Sequence, residues 1–270
     1  MKKLLIHLFD LLGYTIKKKG AGKVEKIAIE KGKQIISKIS PDFKVLNGPF
    51  KGMKYPSIDI TELTLVPKIS GSYELQLLPI INTIIATNYK NVLDIGCAEG
   101  YYAVGLAMKL SNTTVNCFDI NEKDLDFCKS MAVLNNASNL TYNSFCSPET
   151  LINFNYGNRS LIFCDCEGYE QELFTPQVID ALRSTDVLIE LHDVINPITS
   201  TTLLQRFGKT HDVILINNSN VNYSNMQGLD GLSPAEKAFA VYEHRGGLYQ
   251  NIFMEWAFFT PKKSLDGKPH

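Results

Sequence analysis

The residues of this sequence that could do chemistry fall into three groups. The first is Asp94-Ile95-Gly96-Cys97-Ala98-Glu99-Gly100. Gly96 permits a tight turn, Gly100 lets a following helix approach closely, and the backbone between them can lie against a ligand with no side chain in the way. The pattern is D-x-G-x-x-x-G and lacks the middle glycine of the G-x-G-x-x-G turn that receives a pyrophosphate at a helix N-terminus. An anion at Asp94 would repel a pyrophosphate but suit the amino group of a methionine-like ligand. The second group is Asp119, which closes the next apolar run and is placed to accept both hydroxyls of a ribose. The third comprises Asp165, Glu167, Glu190, His192 and Asp193, carboxylates and an imidazole at the ends of two later apolar runs. They could take a proton from a reacting group, with His192 the best suited near neutrality. Asp165, Glu190 and Asp193 could alternatively offer oxygen ligands to Mg2+. Glu167 and Glu170 could also complement the dipole of a helix that they open.

The elements that must position these groups are legible as a rhythm. Runs rich in β-branched residues predict strands at Asn91–Ile95, Thr114–Asp119, Leu140–Phe145, Leu161–Asp165, Val187–His192, Val213–Asn217 and Ile252–Thr260. Helical patterns alternate with the early ones, at Tyr101–Lys109, Glu122–Asn135 and Tyr169–Leu182. Such alternation implies a parallel sheet covered on both faces, with the strand C-terminal ends along one ligand-binding edge. The chain divides into an N-terminal helical extension and connector over 1–75 and an α/β domain over 76–270, with an insertion at about 218–250. In that insertion, Ser233-Pro234-Ala235-Glu236 predicts a capped helix start. An insertion of this length suits a substrate-covering lid or an oligomer contact.

Composition narrows the class. At 44% hydrophobic and 20% charged residues, the chain has a globular balance. Its net charge of −1 supplies no overall attraction for nucleic acid, and none is expected as a partner. The six cysteines form no zinc-type pairs and read as reduced, buried thiols of a cytoplasmic protein. The N-terminal segment, from Met1-Lys2-Lys3 to Lys17-Lys18-Lys19, reads as an amphipathic helix and not as a signal peptide or a span. It could touch an acidic membrane surface, or pack on its own domain or on a second copy in a homo-oligomer.

Asn91–Ala107 resembles the first motif of class I S-adenosylmethionine-dependent methyltransferases, and the likeness runs to about Pro261. Asp165-Cys166-Glu167-Gly168-Tyr169-Glu170 is similar to the D-x-E-G-x-E signature of the FkbM-type subfamily, with Leu188–His192 as its following strand. Asp119-Ile120 stands where many members have Glu-Pro. The resemblance implies a Rossmann-like, seven-stranded, mostly parallel sheet with helices on both faces and the last strand antiparallel. It implies S-adenosyl-L-methionine as cofactor and O-methylation of a hydroxyl on a sugar or other small metabolite. It would put Asp94, Gly96, Cys97, Ala98 and Gly100 around the methionine part and Asp119 and Ile120 at the ribose and one adenine face. Phe145, Cys146 and Ser147 would line the adenine, with Asp165 beside the methyl donor. The segment Ser70–Glu74, with Tyr73, would close over the cofactor. A hydroxyl acceptor needs a general base, so His192, Asp165 and Glu190 become the expected catalytic residues, with His244 and Arg245 as further candidates from the insertion. Tyr223, Met226, Tyr242 and Tyr249 could form an acceptor wall or a packed lid. The competing readings are a macromolecule methyltransferase, an NAD(P)-dependent oxidoreductase on a similar fold, and a scaffold that has lost activity.

Overall fold

A computed structural model describes residues 21–56, 64–217, 221–243 and 255–263. The N-terminal segment up to residue 20 and the candidates His244, Arg245 and Tyr249 lie outside the described residues.

Seven strands form one sheet in the order β3-β2-β1-β4-β5-β7-β6. They are β1 (Asn91–Ile95), β2 (Thr114–Phe118), β3 (Leu140–Asn143), β4 (Ser160–Cys164), β5 (Asp186–Leu191), β6 (His211–Ile216) and β7 (Glu255–Pro261). β3, β2, β1, β4 and β5 run parallel, while β7 is antiparallel to both β5 and β6. This is the covered parallel sheet expected from the alternation, with the seven strands and antiparallel last strand of the Rossmann-like architecture that the resemblance implies. The strand order reverses between β1 and β4, so the crevice for a ligand lies at their C-terminal ends.

The period of two sorts the sheet residues. Leu93, Ile95, Ile162, Cys164, Val187 and Ile189 face one core layer. It is closed by α7 (Glu170–Leu173), α8 (Pro176–Ala181) and α9 (Thr199–Phe207) through Leu173, Val178 and Leu203. Val92, Val115, Cys117, Leu161, Phe163 and Leu188 face the other. There they meet α1 (Ala21–Ile39), α2 (Leu65–Ser70), α3 (Leu78–Ile85), α4 (Tyr101–Lys109) and α5 (Glu122–Leu134). The N-terminal extension thus belongs to the same core as the sheet, through Ile35, Ile36, Val66 and Ile69.

One local expectation changes. The helix predicted over 169–182 breaks into α7 and α8 at Phe174-Thr175-Pro176, because Pro176 cannot continue a helix and Thr175 caps a new one. The chain enters α3 through a single 3-10 turn, Leu75–Leu77, ahead of Pro79. The connector carries α2, which ends on Gly71 at φ 81, and a lone antiparallel bridge between Lys44 and Lys54. The predicted cap in the insertion is present: Ser233 and Glu236 form a reciprocal capping box at the start of α10 (Pro234–Val241).

Candidate functional site

The two glycines after β1 are dictated by packing. Gly96 has φ +81, and a Cβ there would lie 1.7 Å from the carbonyl oxygen of Asp165, so the turn is pressed against the end of β4. Gly100 has φ +99, and a Cβ there would meet Cys128 Sγ at 2.6 Å. The segment between them is the part open to a ligand. Ala98 adopts φ 45, rare for a side-chain-bearing residue, and its N–H donates to Asp119 Oδ2 at 2.8 Å. Cys97 turns its sulfur inward, where Cys97, Cys117 and Cys128 bring three buried thiols within 4.8 Å of one another. Only the backbone of Cys97 can therefore face a ligand. Asp94 is buried, and its Oδ2 has no hydrogen-bond partner. Burial, reinforced by Cys128, Asp119 and Glu99, pushes its carboxyl well above the usual range. Such a group lacks a cationic or hydrogen-bonding companion.

Asp119 is held from two sides. Oδ2 accepts from Ala98 and Oδ1 accepts from the backbone N–H of Asn121 at 2.8 Å. A carboxylate has about four acceptor directions, so each oxygen keeps a lone pair for a further donor. Beside it, Ile120 is 78% exposed, and Phe145, just beyond β3, is 52% exposed with its ring 5.7 Å from that of Tyr169. Two large apolar side chains are thus left uncovered at the same sheet edge. Cys146 is buried, and Ser147 spends its hydroxyl on capping α6 (Pro148–Asn153).

The third group converges. Residues 163, 165, 188, 190 and 192 share one face by strand parity, so Asp165, Glu190 and His192 emerge together at the ends of β4 and β5. His192 is 1% exposed. Its Nδ1 lies 2.7 Å from Glu170 Oε1, which also accepts from the Gly168 N–H at 3.0 Å. Its Nε2 has no hydrogen-bond partner, yet lies 3.5 Å from Asp165 Oδ1, 3.6 Å from Glu190 Oε2 and 3.6 Å from Glu167 Oε2. Burial opposes a charged imidazole, but the Glu170 bond and the charges of Glu190, Glu170 and Glu167 outweigh it and raise the pKa. Asp165 is pushed well above the usual carboxylate range by burial and by the neighbouring charges of Glu190 and Glu74. Asp193 stands apart from this set: its carboxylate accepts from the backbone N–H and the hydroxyl of Ser200 near the start of α9. It therefore lies apart from Asp165 and Glu190, which were expected to share a site with it, and the group that does stand beside them is the His192 ring nitrogen.

The N-terminal extension brings residues that spacing alone could not assign. Glu74, at φ 46 and 2% exposed, accepts from the Tyr102 hydroxyl at 2.5 Å. Buried Lys68 pairs with Glu99 of the glycine turn at 2.5 Å, with its ammonium 4.9 Å from the Tyr73 ring centre. Tyr73 packs edge-on against Tyr101 at 5.5 Å. A cleft lined by Tyr73, Glu74, Leu78, Tyr101 and Tyr102 runs along this wall. The only sequence signal was the polar segment Ser70–Glu74. Lys68 gave none, since its partner Glu99 is distant in the chain, and Glu170 stood out only as a helix-opening and signature residue, not as the partner of His192. In the insertion, Tyr242 is exposed, whereas Met226 packs against the core.

No protein-family model matches the chain, and no curated protein matches it. Solved structures do. One is a protein from Klebsiella pneumoniae given as a candidate O-methyltransferase, 11% identical, covering 95% of this chain and 94% of that one, with a TM-score of 0.48. Another is an rRNA methylase from Streptococcus thermophilus, 11% identical, covering 69% and 97%, with a TM-score of 0.45. A third is a precorrin-6y C5,15-methyltransferase from Geobacter metallireducens, 11% identical, covering 68% and 89%, with a TM-score of 0.40. Likenesses this distant leave the substrate entirely to the site. Among the described residues, no helix is long and apolar enough to cross a membrane.

Proposed function

We propose that the chain is an S-adenosylmethionine-dependent methyltransferase acting on a hydroxyl of a sugar or other small metabolite. The observation that carries this reading is Asp119. Its carboxylate is fixed by two backbone donors while keeping outward lone pairs, and it sits beside the uncovered Ile120 and Phe145. That combination suits a ribose with an adenine against apolar side chains. The unpartnered, buried Oδ2 of Asp94 suits the ammonium of the methionine part. When bound, the cofactor supplies an activated methyl group on a sulfonium.

The remaining work falls to the chain. A hydroxyl is a poor nucleophile until it loses its proton, and Asp165, Glu190 and His192 gather proton-accepting atoms at the ends of β4 and β5, beside the switch point of the sheet. Glu170 is a positioning residue that fixes the His192 ring and aims Nε2 at the carboxylates. The aromatic wall of Tyr73, Tyr101 and Tyr102 excludes water from one side.

Calorimetric titration with S-adenosylmethionine and its demethylated product, with NADH in parallel, tests the reading. Micromolar binding of the sulfur compounds and none of NADH is expected. Binding of NADH alone would overturn the proposal. The His192→Ala variant is expected to bind cofactor normally and to lose turnover on hydroxylated acceptors.

A further inference from the structure

The arrangement around His192 lacks one component. Imidazole Nε2 faces carboxylate oxygens of Asp165, Glu190 and Glu167 at 3.5–3.6 Å, a spacing too long for good hydrogen bonds. Nε2 and Asp165 Oδ1 are both buried and without a hydrogen-bond partner. Two independent elements, β4 and β5, deliver the three side chains, and one ligand atom from each lies within 4.8 Å of the others.

We infer that Asp165, Glu190 and His192 bind one divalent first-row transition-metal ion, of the Mn2+ or Fe2+ class, at the ends of β4 and β5. The spacing fits. An ion about 2.0–2.2 Å from each of its ligand atoms holds neighbouring ligand atoms roughly 3.0–3.6 Å apart, and Nε2 already stands at such a distance from Asp165 Oδ1 and from Glu190 Oε2. The ring is already oriented for the task. Glu170, fully buried and fixed by Gly168, accepts at Nδ1, which leaves the Nε2 lone pair directed at the ion; this is the carboxylate–histidine–metal relay of protein metal sites. The nitrogen donor selects among ions. Mg2+ and Ca2+ prefer all-oxygen sites, whereas a mixed imidazole and carboxylate set favours Mn2+, Fe2+ or Zn2+. Three protein ligands leave positions open for a substrate oxygen.

The inference rests on the methyl-transfer reading only for its purpose. A hydroxyl bound to the ion is more acidic: its O–H bond breaks, the proton passes to a carboxylate, and the electron pair stays on oxygen as the nucleophile. Glu167 is the outlet for that proton, since its side chain is 81% exposed while its Oε2 reaches to 3.6 Å from His192 Nε2. His192 then acts as a ligand, and the ion does the activating.

The test is titration of the chelator-treated full chain with Mn2+, without cofactor, followed by the electron paramagnetic resonance signal of free Mn2+ and by calorimetry. One tight site per chain is expected, with affinity falling at least tenfold in Glu190→Gln and in His192→Gln. Asp193→Asn is expected to bind Mn2+ like the parent, and Mg2+ to bind at least tenfold more weakly than Mn2+. Absence of a tight Mn2+ site overturns the inference. So does Mn2+ binding that both site variants leave unchanged, which would mark diffuse attraction to acidic surface. Mg2+ binding as tight as Mn2+ and indifferent to His192→Gln would remove the imidazole from the site and overturn it too. Because no cofactor is present, a failed cofactor titration leaves this result intact, and a failed Mn2+ titration leaves the cofactor site intact.

Discussion

Replacing Asp119 with alanine separates the cofactor reading from a merely structural account. In the folded chain, Asp119 does two structural jobs, accepting from Ala98 and from Asn121, each at 2.8 Å. Both donors sit in turns at the sheet edge, where water can replace the lost acceptor, so about 1 kcal/mol of stability is at stake for each. Neither contact is part of the core, and the strand register that holds β2 is independent of the side chain. The ligand contribution is different in kind. A ribose hydroxyl donating to an ionised carboxylate contributes about 1.5–3 kcal/mol, and 1.4 kcal/mol is tenfold in affinity. Losing even one such bond predicts roughly tenfold to 150-fold weaker binding of the demethylated cofactor, and losing both predicts more. The assay is calorimetry on parent and variant, with urea unfolding as the control for structure. Affinity within threefold of the parent, in a variant that still unfolds cooperatively, would refute the placement of the ribose at Asp119. A large loss of both affinity and cooperativity would show the residue to be structural.

Two further perturbations test the fold beneath the site. Gly96→Ala puts a side chain at φ +81 and a Cβ 1.7 Å from the Asp165 carbonyl, so β1 and β4 must separate near the Asp165 N–H to Ile95 O bond of 2.9 Å. Left-handed strain of about 1–2 kcal/mol and overpacking of about 1–3 kcal/mol predict a destabilisation of roughly 2–5 kcal/mol by urea unfolding, and less than 1 kcal/mol would refute the contact. Burial lowers the pKa of His211 against the opposing backbone bonds to Thr185 and Leu182 and the charge of Asp186, while Nε2 donates to the Thr185 carbonyl and Nδ1 meets the Thr210 hydroxyl. Its folded pKa lies below the unfolded value, so as pH falls below about 6.5 the unfolded chain takes up the proton first and stability drops until the folded ring titrates. Urea midpoints at pH 7.5 and 5.5 are expected to diverge more in the parent than in His211→Gln, and an equal change in both would refute the assignment.

The sheet was legible because its signal is local. β1 and β2 begin at the expected residues, and β1 also ends at the expected one, since buried strands read as short apolar runs between turn residues. The misread pieces are those whose apolar residues continue while the backbone cannot. Phe174-Thr175-Pro176 keeps a helical apolar pattern through a helix break, and Leu65–Ser70 hides a helix in a stretch punctuated by Pro67 and Gly71. In the first, Pro176 sets the boundary; in the second, Pro67 sits in the first turn, where its missing N–H is tolerated, and Gly71 ends the helix; periodicity gave no warning of either.

The site divides the same way, by how far each partner lies along the chain. The places of Asp94, Gly96 and Asp119 in the fold were readable because Asp94 lies near the end of β1 while Gly96 and Asp119 directly follow β1 and β2, and the next strand over supplies the neighbour. Parity alone also aligns Asp165, Glu190 and His192 on one face. Asp193 has the opposite parity and lies two residues beyond β5, where its carboxylate turns to Ser200; the run of carboxylates around His192 in the sequence hides that difference. Nor could parity reveal Glu170: its partner lies 22 residues away, and only the turn at Glu167 and Gly168, both at positive φ, folds α7 back so that the carboxylate reaches Nδ1 of His192. That turn makes the imidazole a directed group with its Nε2 facing carboxylates, and no sequence pattern distinguishes such a ring from a histidine that simply ends a strand.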